Sequence, residues 1–222
     1  MPSFSAERRF YAKGLPLVAG LDEVGRGAWA GPLVAGAVIL PQPSPALRKA
    51  LVHVNDSKLL PRAQREKCAL AIRTVALAHG IGIVSVKELD VLGMTRATRT
   101  AMGRALANLP VAAQALLIDA FPLPDSPLPQ RAIIRGDSAC FCIASASIIA
   151  KTARDDMMRA LDADFPDYGF GVHKGYGTQE HQRALREFGP SREHRTSFSP
   201  IRDLLSGGLG LPVTLPSVLA NG

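Results

Sequence analysis

Little in this chain points to a disulfide, a membrane or a secretory route. Its 222 residues include 3 cysteines, Cys68, Cys140 and Cys142. An odd number without a C-x-x-C pair argues against a disulfide framework and against a thiolate zinc site, and free thiols in a reducing cytoplasm are the expectation. No apolar stretch approaches the roughly 20 uncharged residues of a membrane span. Residues 1–13 carry charge but no apolar h-region, so no secretory signal is expected. There is no internal repeat. Acids are in the minority, 19 Asp+Glu against 26 Lys+Arg, for a net charge of +7. A basic surface suits a polyanion such as nucleic acid and serves solubility equally. The chain does have a hydrophobic fraction of 47%, enough for the core of one domain and too much for wholesale disorder.

Two runs rich in Val, Ile and Leu, residues 17–24 and 33–40, are bounded by Gly and Pro and predict neighbouring strands of a hairpin or meander. Pro41, Pro43 and Pro45 end the second. Pro61 suits the first turn of a helix over 63–79, which Gly80 is expected to close, and 81–86 alternates as a third strand. Residues 88–109 place Leu89, Leu92, Ala97, Ala101 and Ala105 at helical spacing. Short strands are predicted at 116–118, ending at Asp119, and at 132–134, ahead of Gly136-Asp137. A prolyl loop joins them. A long Ala-rich helix over 138–161 follows, then a break at 165–178, a charged helix at 179–188 and the start of another at 200–205. Beyond Ser206 the chain runs without charge and is expected to be a flexible tail. This order predicts an α/β sheet with a mixed strand pattern.

Three predicted strands deliver acids to their ends. Asp22-Glu23 ends the first, Asp119 ends Ala115-Leu116-Leu117-Ile118, and Asp137 follows Ile133-Ile134-Arg135-Gly136. Side-by-side carboxylates repel and shift each other's pKa, and a hard divalent cation with oxygen ligands relieves them. In an open α/β sheet, groups at strand ends can converge on one crevice. Four carboxylates there could hold two cations about 3.5–4 Å apart, the arrangement that hydrolyses phosphodiesters. Taken singly, each acid is also a turn or cap residue: Asp22-Glu23 can be two solvated acids in a turn, and Asp137 an N-cap.

The residues resemble one family, the bacterial ribonuclease HII (type 2 ribonuclease H) enzymes, over most of the chain. The pieces stand in family order: Asp22-Glu23-Val24-Gly25-Arg26-Gly27, Asn55-Asp56-Ser57-Lys58, Ile118-Asp119 and Arg135-Gly136-Asp137-Ser138 come first. Ala144-Ser145-Ala146-Ser147-Ile148-Ile149-Ala150-Lys151 with Arg154-Asp155, Tyr168-Gly169-Phe170, His173-Lys174-Gly175-Tyr176 and His194-Arg195-Thr196-Ser197-Phe198 follow. The resemblance implies a ribonuclease H-like mixed five-stranded sheet flanked by helices, with a small C-terminal helical extension. It divides the chain into a catalytic core over 1–162, a substrate-binding extension over 163–205 and the tail over 206–222. It implies a metal-dependent endonuclease that cuts the RNA strand of RNA–DNA hybrids. The same activity nicks 5′ of single ribonucleotides in duplex DNA, leaving 5′-phosphate and 3′-hydroxyl ends with two Mg²⁺ or Mn²⁺ ions. Carried onto this chain, Asp22, Glu23, Asp119 and Asp137 are the catalytic and metal-binding carboxylates. Gly25, Arg26 and Gly27 sense the ribose 2′-hydroxyl, and Tyr176 packs on the following deoxyribose. Asn55, Ser57, Lys58, Lys174 and Arg195 contact the substrate backbone. A cytoplasmic monomer with no membrane partner is the expectation.

The chain departs from the family pattern at Ala28-Trp29, at Ala120-Phe121 after Asp119, at Arg135 in place of a common Lys, and at Gly177 where proline is common. None removes a carboxylate. Arg154 reads as a helix-surface charge or a functional one, and Asp155 as a supporting acid or a helix salt bridge. His173 has no Cys or His partner at ligand spacing and reads as a loop hydrogen-bonder. Ser57 and Ser138 lack a His-Asp arrangement, which argues against a serine hydrolase. Gly25-x-Gly27 is too short for a dinucleotide fingerprint. The alternative functions are a non-catalytic nucleic-acid-binding module and a DNA nuclease on the same fold.

Overall fold

The computed structural model describes residues 2–207, so the stretch 208–222 of the expected tail lies outside the described residues. A five-stranded mixed sheet occupies the centre. Its strands are β1 (Val18–Val24), β2 (Leu33–Ile39), β3 (Ala78–Val84), β4 (Ala115–Asp119) and β5 (Gln130–Ile133), in the order β3-β2-β1-β4-β5. β1 pairs antiparallel with β2, and β2 with β3, whereas β1–β4 and β4–β5 are parallel. β2 is buried along its whole length and β1 through Asp22. Strands covered on both faces need continuous apolar runs, which is why these two were visible in the sequence. β3, at an edge, alternates buried and exposed residues instead.

Nine helices clothe the described sheet: α1 (Ser5–Tyr11), α2 (Pro45–Ala50), α3 (Arg62–Val75), α4 (Val86–Ala107), α5 (Gly136–Ala139), α6 (Phe141–Asp164), α7 (Phe170–His173), α8 (Gln179–Phe188) and α9 (Ser199–Leu205). On one face, Phe4 at the start of α1 and Phe10, Ile72 and Ile148 of α1, α3 and α6 are buried against Val38 and Leu117. On the other, α4 buries Leu89 and Met102 against Leu21, Leu33 and Leu116. A third cluster, built from Tyr168, Phe170, Leu185 and Ile201, rests on Trp29 and Met158 and attaches the C-terminal helices to the core.

The expected elements shift in three places. The third helix ends at Val75, and Gly80 lies inside β3 rather than closing a helix. The reason is close packing: a Cβ on Gly82 would stand 1.9 Å from the Ala101 carbonyl oxygen of α4. Ser85 then starts α4 as half of a capping box with Glu88, so that segment is a helix entrance and not a strand end. The long helix over 138–161 is two helices. Cys140 is extended (φ −131, ψ 127) between α5 and α6, and α6 continues to Asp164, past the expected boundary at 162. The short helices α1 and α2 were not anticipated.

Candidate active site and nucleic-acid interface

Because β1 and β4 run parallel with Leu21 opposite Ile118, Asp22 and Asp119 leave adjacent strands at the same level. Asp119 reaches further, accepting the Gly136 N–H on Oδ1 at 2.7 Å, which fixes the turn that carries Asp137. Arg135 enters that turn in the left-handed conformation (φ 55, ψ 44). Asp137 lies in the first turn of α5, where no side chain caps the helix, so its carboxylate is left for other work. The four acids thus share one end of the sheet. Asp22 is only 4% exposed. Burial, then the charges of Glu23, Asp119 and Asp137, push its carboxyl well above the usual range against a hydrogen bond from Ser147. Burial also raises Glu23, opposed by Arg26, and raises Asp137, helped by Asp56 and Asp119 and opposed by Lys58.

Glu23 Oε1 takes Arg26 at 3.1 Å, but Glu23 Oε2 is buried with no hydrogen-bond partner. A buried carboxylate oxygen without a donor is costly, and a hard cation with an all-oxygen donor set removes that cost. These residues therefore suit divalent cations. Among the described residues none of these acids joins a group of three ligand atoms within 4.8 Å of one another.

Beside the acids, the Gly25-Arg26-Gly27 segment is held from below. Gly25 has φ +93, and a Cβ there would meet Arg154 Nε at 2.3 Å, so only glycine suits the position. Arg154 is fully buried, not a helix-surface charge. It donates to the carbonyls of Pro32 (2.9 Å), Lys174 (3.0 Å) and Ala30 (3.1 Å). Arg195 is likewise 0% exposed. Its guanidinium donates to Gly25 O (2.6 Å), Arg26 O (3.2 Å) and Gly31 O (3.0 and 2.8 Å). Burial, then the neighbouring Arg154 cation, pushes its ionisation down to about 9, still charged at neutral pH. The expectation that Arg195 contacts the substrate backbone is corrected: the side chain is fully buried and makes four hydrogen bonds inside the protein, to the carbonyls of Gly25, Arg26 and Gly31.

The remaining expected contacts fall around the crevice. Lys58 is exposed, with Nζ 3.8 Å from Asp137 Oδ2. Burial lowers its pKa, but Asp22, Asp56, Asp137 and Asp119 together raise it more. Asn55 is half-buried, and Ser57 is buried with its hydroxyl 2.8 Å from that of Ser147, so Ser57 supports the loop from within. Arg65 ties the same loop to α6: it donates to Ser57 O and pairs with Asp155, which also holds Lys151. Lys174 adopts φ 55 and bonds Gly171 O with its ammonium. Tyr176, 36% exposed, presents a ring flanked by Arg154 and Lys151. Sequence reasoning did not find Arg65, and it marked Phe121 only as a departure from the family pattern. The Phe121 ring lies 5.1 Å from the Arg26 guanidinium, so the departure at Ala120-Phe121 braces the arginine that grips Glu23. An alternating pattern carries no sign of either contact.

A chain of neutral imidazoles holds the Tyr176 loop. His194 Nδ1 accepts the Ser191 N–H (2.9 Å), so its Nε2 carries the proton donated to His181 Nε2 (2.9 Å). His181 Nδ1–H then donates to Tyr176 O (3.0 Å). His173 accepts the Gly175 N–H and donates to Tyr168 O. Every ring nitrogen is committed, and a further proton would set donor against donor. Burial holds His181 down to about 3 and His194 to about 4, and lowers His173. Depressed folded-state values mean that protons favour the unfolded chain. Stability from this cluster is thus full above about pH 6.5 and is lost as pH falls toward 4 and then 3. Urea midpoints are expected to fall between pH 6.5 and 4, with a shallower fall in His194→Gln. Identical slopes in the two proteins would refute the assignment.

Solved structures agree with this architecture. The ribonuclease H2 of Pyrococcus horikoshii OT3 superposes with TM-score 0.72 at 25% identity, covering 86% of this chain and 97% of that one. Bst-RNase HIII in complex with Mn²⁺ superposes at 0.66 and 21% identity, covering 93% of this chain and 73% of that chain. The sheet order, the helices on both faces and the C-terminal helices define a ribonuclease H-like protein. The Ribonuclease HII family model matches residues 19–200. Ribonuclease HII of Chloroflexus aurantiacus is 49% identical over 208 residues, 92% of this chain and 97% of the relative. That of Thermus thermophilus is 50% identical over 195 residues, 88% and 92%. The chain belongs to the ribonuclease HII family and is a ribonuclease H, a phosphodiester-cleaving endonuclease. Among the described residues no helix is long and apolar enough to cross a membrane.

Proposed function

We propose that the protein cleaves the RNA strand of RNA–DNA hybrids and nicks duplex DNA 5′ of a single embedded ribonucleotide, leaving 5′-phosphate and 3′-hydroxyl ends. Asp22, Glu23, Asp119 and Asp137 would hold two divalent cations, Mg²⁺ or Mn²⁺. When bound, such a pair supplies a polarised water on one side of the phosphate and charge stabilisation for the leaving oxygen on the other. The observation that carries this reading is the buried, unpartnered Glu23 Oε2 among acids whose protons are held on by burial and mutual charge.

The chain's own residues orient the substrate. Lys58 and the 55–58 loop offer cationic and polar contact to phosphate beside Asp137, with no sequence reading. Gly25, Arg26 and Gly27 bring backbone to the ribose, where the 2′-hydroxyl is the one feature separating ribose from deoxyribose. The exposed Tyr176 ring packs on the next sugar and disfavours a hydroxyl there. Lys174 stands beside it as a further phosphate contact. Residues 1–162 act as the catalytic core and 163–205 as the extension that shapes the strand path. One chain supplies every site residue, in keeping with a monomer. Its DNA substrate and free buried cysteines suit the cytoplasm.

The test is a labelled duplex with one ribonucleotide, incubated with Mg²⁺ or EDTA beside an all-DNA duplex. A single nick 5′ of the ribonucleotide, absent in EDTA and in all-DNA, is expected. Binding without cleavage would favour a non-catalytic module, and equal cleavage of all-DNA a general DNA nuclease. Tyr176→Ala should lose about tenfold or more in single-ribonucleotide cleavage, equivalent to about 1.4 kcal/mol. An unchanged rate would remove the tyrosine from the site.

A further inference from the structure

Away from the carboxylate crevice, three buried side chains of metal-ligating type meet where α1 packs against the start of α6. One carboxylate oxygen of Glu7 and the sulfurs of Cys140 and Cys142 all lie within 4.8 Å of one another, the one such group of three among the described residues. The two sulfurs are 3.4 Å apart. Glu7 is 0% exposed. Its Oε1 accepts the Cys142 N–H at 3.1 Å and so caps α6 from a distant segment. That structural duty occupies one oxygen. The other, Oε2, is buried with no hydrogen-bond partner, a costly arrangement for a carboxylate beside two thiols.

We propose that Glu7, Cys140 and Cys142 form a second cation site, selective for a thiophilic divalent ion such as Zn²⁺ and separate from the oxygen-only crevice. Donor chemistry sets the selectivity. Two thiolates and one carboxylate suit zinc, whereas four carboxylates suit Mg²⁺ or Mn²⁺. Geometry agrees: two sulfurs bound at about 2.3 Å in a tetrahedron stand about 3.8 Å apart, a few tenths of an ångström from the observed 3.4 Å. A disulfide would need them to close to about 2.05 Å, a much larger movement. Tyr11 packs against the same core cluster as Cys140 and Cys142. Three protein ligands leave a fourth position for the Tyr11 phenol or a water. The C-x-C spacing is not a zinc pattern; the third ligand comes from α1 and appears only in the fold. Binding releases the thiol protons to solvent and leaves the cation held by thiolates. The ion would brace the extended joint at Cys140, three residues from Asp137, by tying it to α1.

The experiment titrates the reduced full-length protein with Co²⁺, a spectroscopic probe, in excess Mg²⁺ that saturates the crevice. One equivalent should bind with a thiolate-to-cobalt charge-transfer band. Zn²⁺ should displace it and raise the melting temperature. Cys140→Ser and Cys142→Ser should each lose the band and the zinc-dependent shift while retaining Mg²⁺-dependent cleavage, which reports that they are folded. Glu7→Gln should weaken the band, and Cys68→Ser should keep it. Absence of the band in the parent protein overturns the proposal. So does a band that survives either serine substitution or disappears in Cys68→Ser. Should one serine variant fail to fold, the other and Glu7→Gln decide.

Discussion

Asp22→Asn will abolish cleavage of a ribonucleotide-containing duplex and at the same time raise the melting temperature of the protein in EDTA. The two effects have one cause. Asp22 is almost wholly buried among three other acids, and burial with their charges raises its pKa. In a protein whose folded-state carboxyl pKa lies above the unfolded value, deprotonation opposes folding, and the opposition grows as pH rises through the carboxylate range. The neutral amide keeps the oxygen that accepts the Glu23 N–H at 2.8 Å and removes the charge, so the fold gains. Catalysis loses an anionic cation ligand, and a drop of about 10²–10³-fold or more follows for removal of a group that stabilises transition-state charge. Asp119→Asn should lose cleavage likewise while duplex binding survives. Single-turnover nicking with gel shifts, and thermal melts in EDTA, measure all of this. Substantial Mg²⁺-dependent activity in Asp22→Asn would reject its role.

Arg195→Met is expected to lower unfolding free energy by about 3 kcal/mol or more, because buried carbonyls deprived of donors cost about 1–3 kcal/mol each. Three carbonyls lose the guanidinium: Arg26, Gly31, and Gly25, which keeps only a long 3.4 Å contact from the Ala28 N–H. Methionine fills a similar volume, so the loss reports hydrogen bonds more than a cavity. Arg195→Lys should recover part of it, since one ammonium cannot serve a forked set of acceptors. Where these variants remain folded, single-ribonucleotide cleavage should fall further than their stability does, because the glycine segment loses its shape. Urea unfolding decides, and an unchanged midpoint for Arg195→Met would show that the guanidinium is dispensable.

Much of the sheet and its acids could be read from the residues alone. β1, β2 and β4 are buried, and such strands announce themselves as apolar runs ended by Gly, Pro or charge. Asp22, Glu23 and Asp119 were visible because they interrupt those runs. The start of β3 was misread because Ala76-Leu77-Ala78 has helical composition and Gly80 looked like a helix stop, although α4 packs tightly against the glycines of that strand. α1 and α2 were missed for their shortness, which leaves no period to detect. The assignment of Arg195 failed for a different reason. Arginine is ordinarily exposed, and only the convergence of three carbonyls more than 160 residues upstream makes its burial favourable. Arg154, in α6, is the same case.

That long-range tie bears on how the molecule comes into being. The sheet is complete once β5 has been made, at Ile133, and the acids once Asp137 has followed. The carbonyl of Gly25 nonetheless has only the long 3.4 Å contact from the Ala28 N–H until the Arg195 guanidinium arrives at 2.6 Å. A nascent chain can therefore own a finished sheet while the loop at Gly25 still lacks its main support. Arg195 thus joins an early loop to the last part of the described chain to be synthesised, and a chain clipped before it is expected to keep the four acids beside a loop without its guanidinium support.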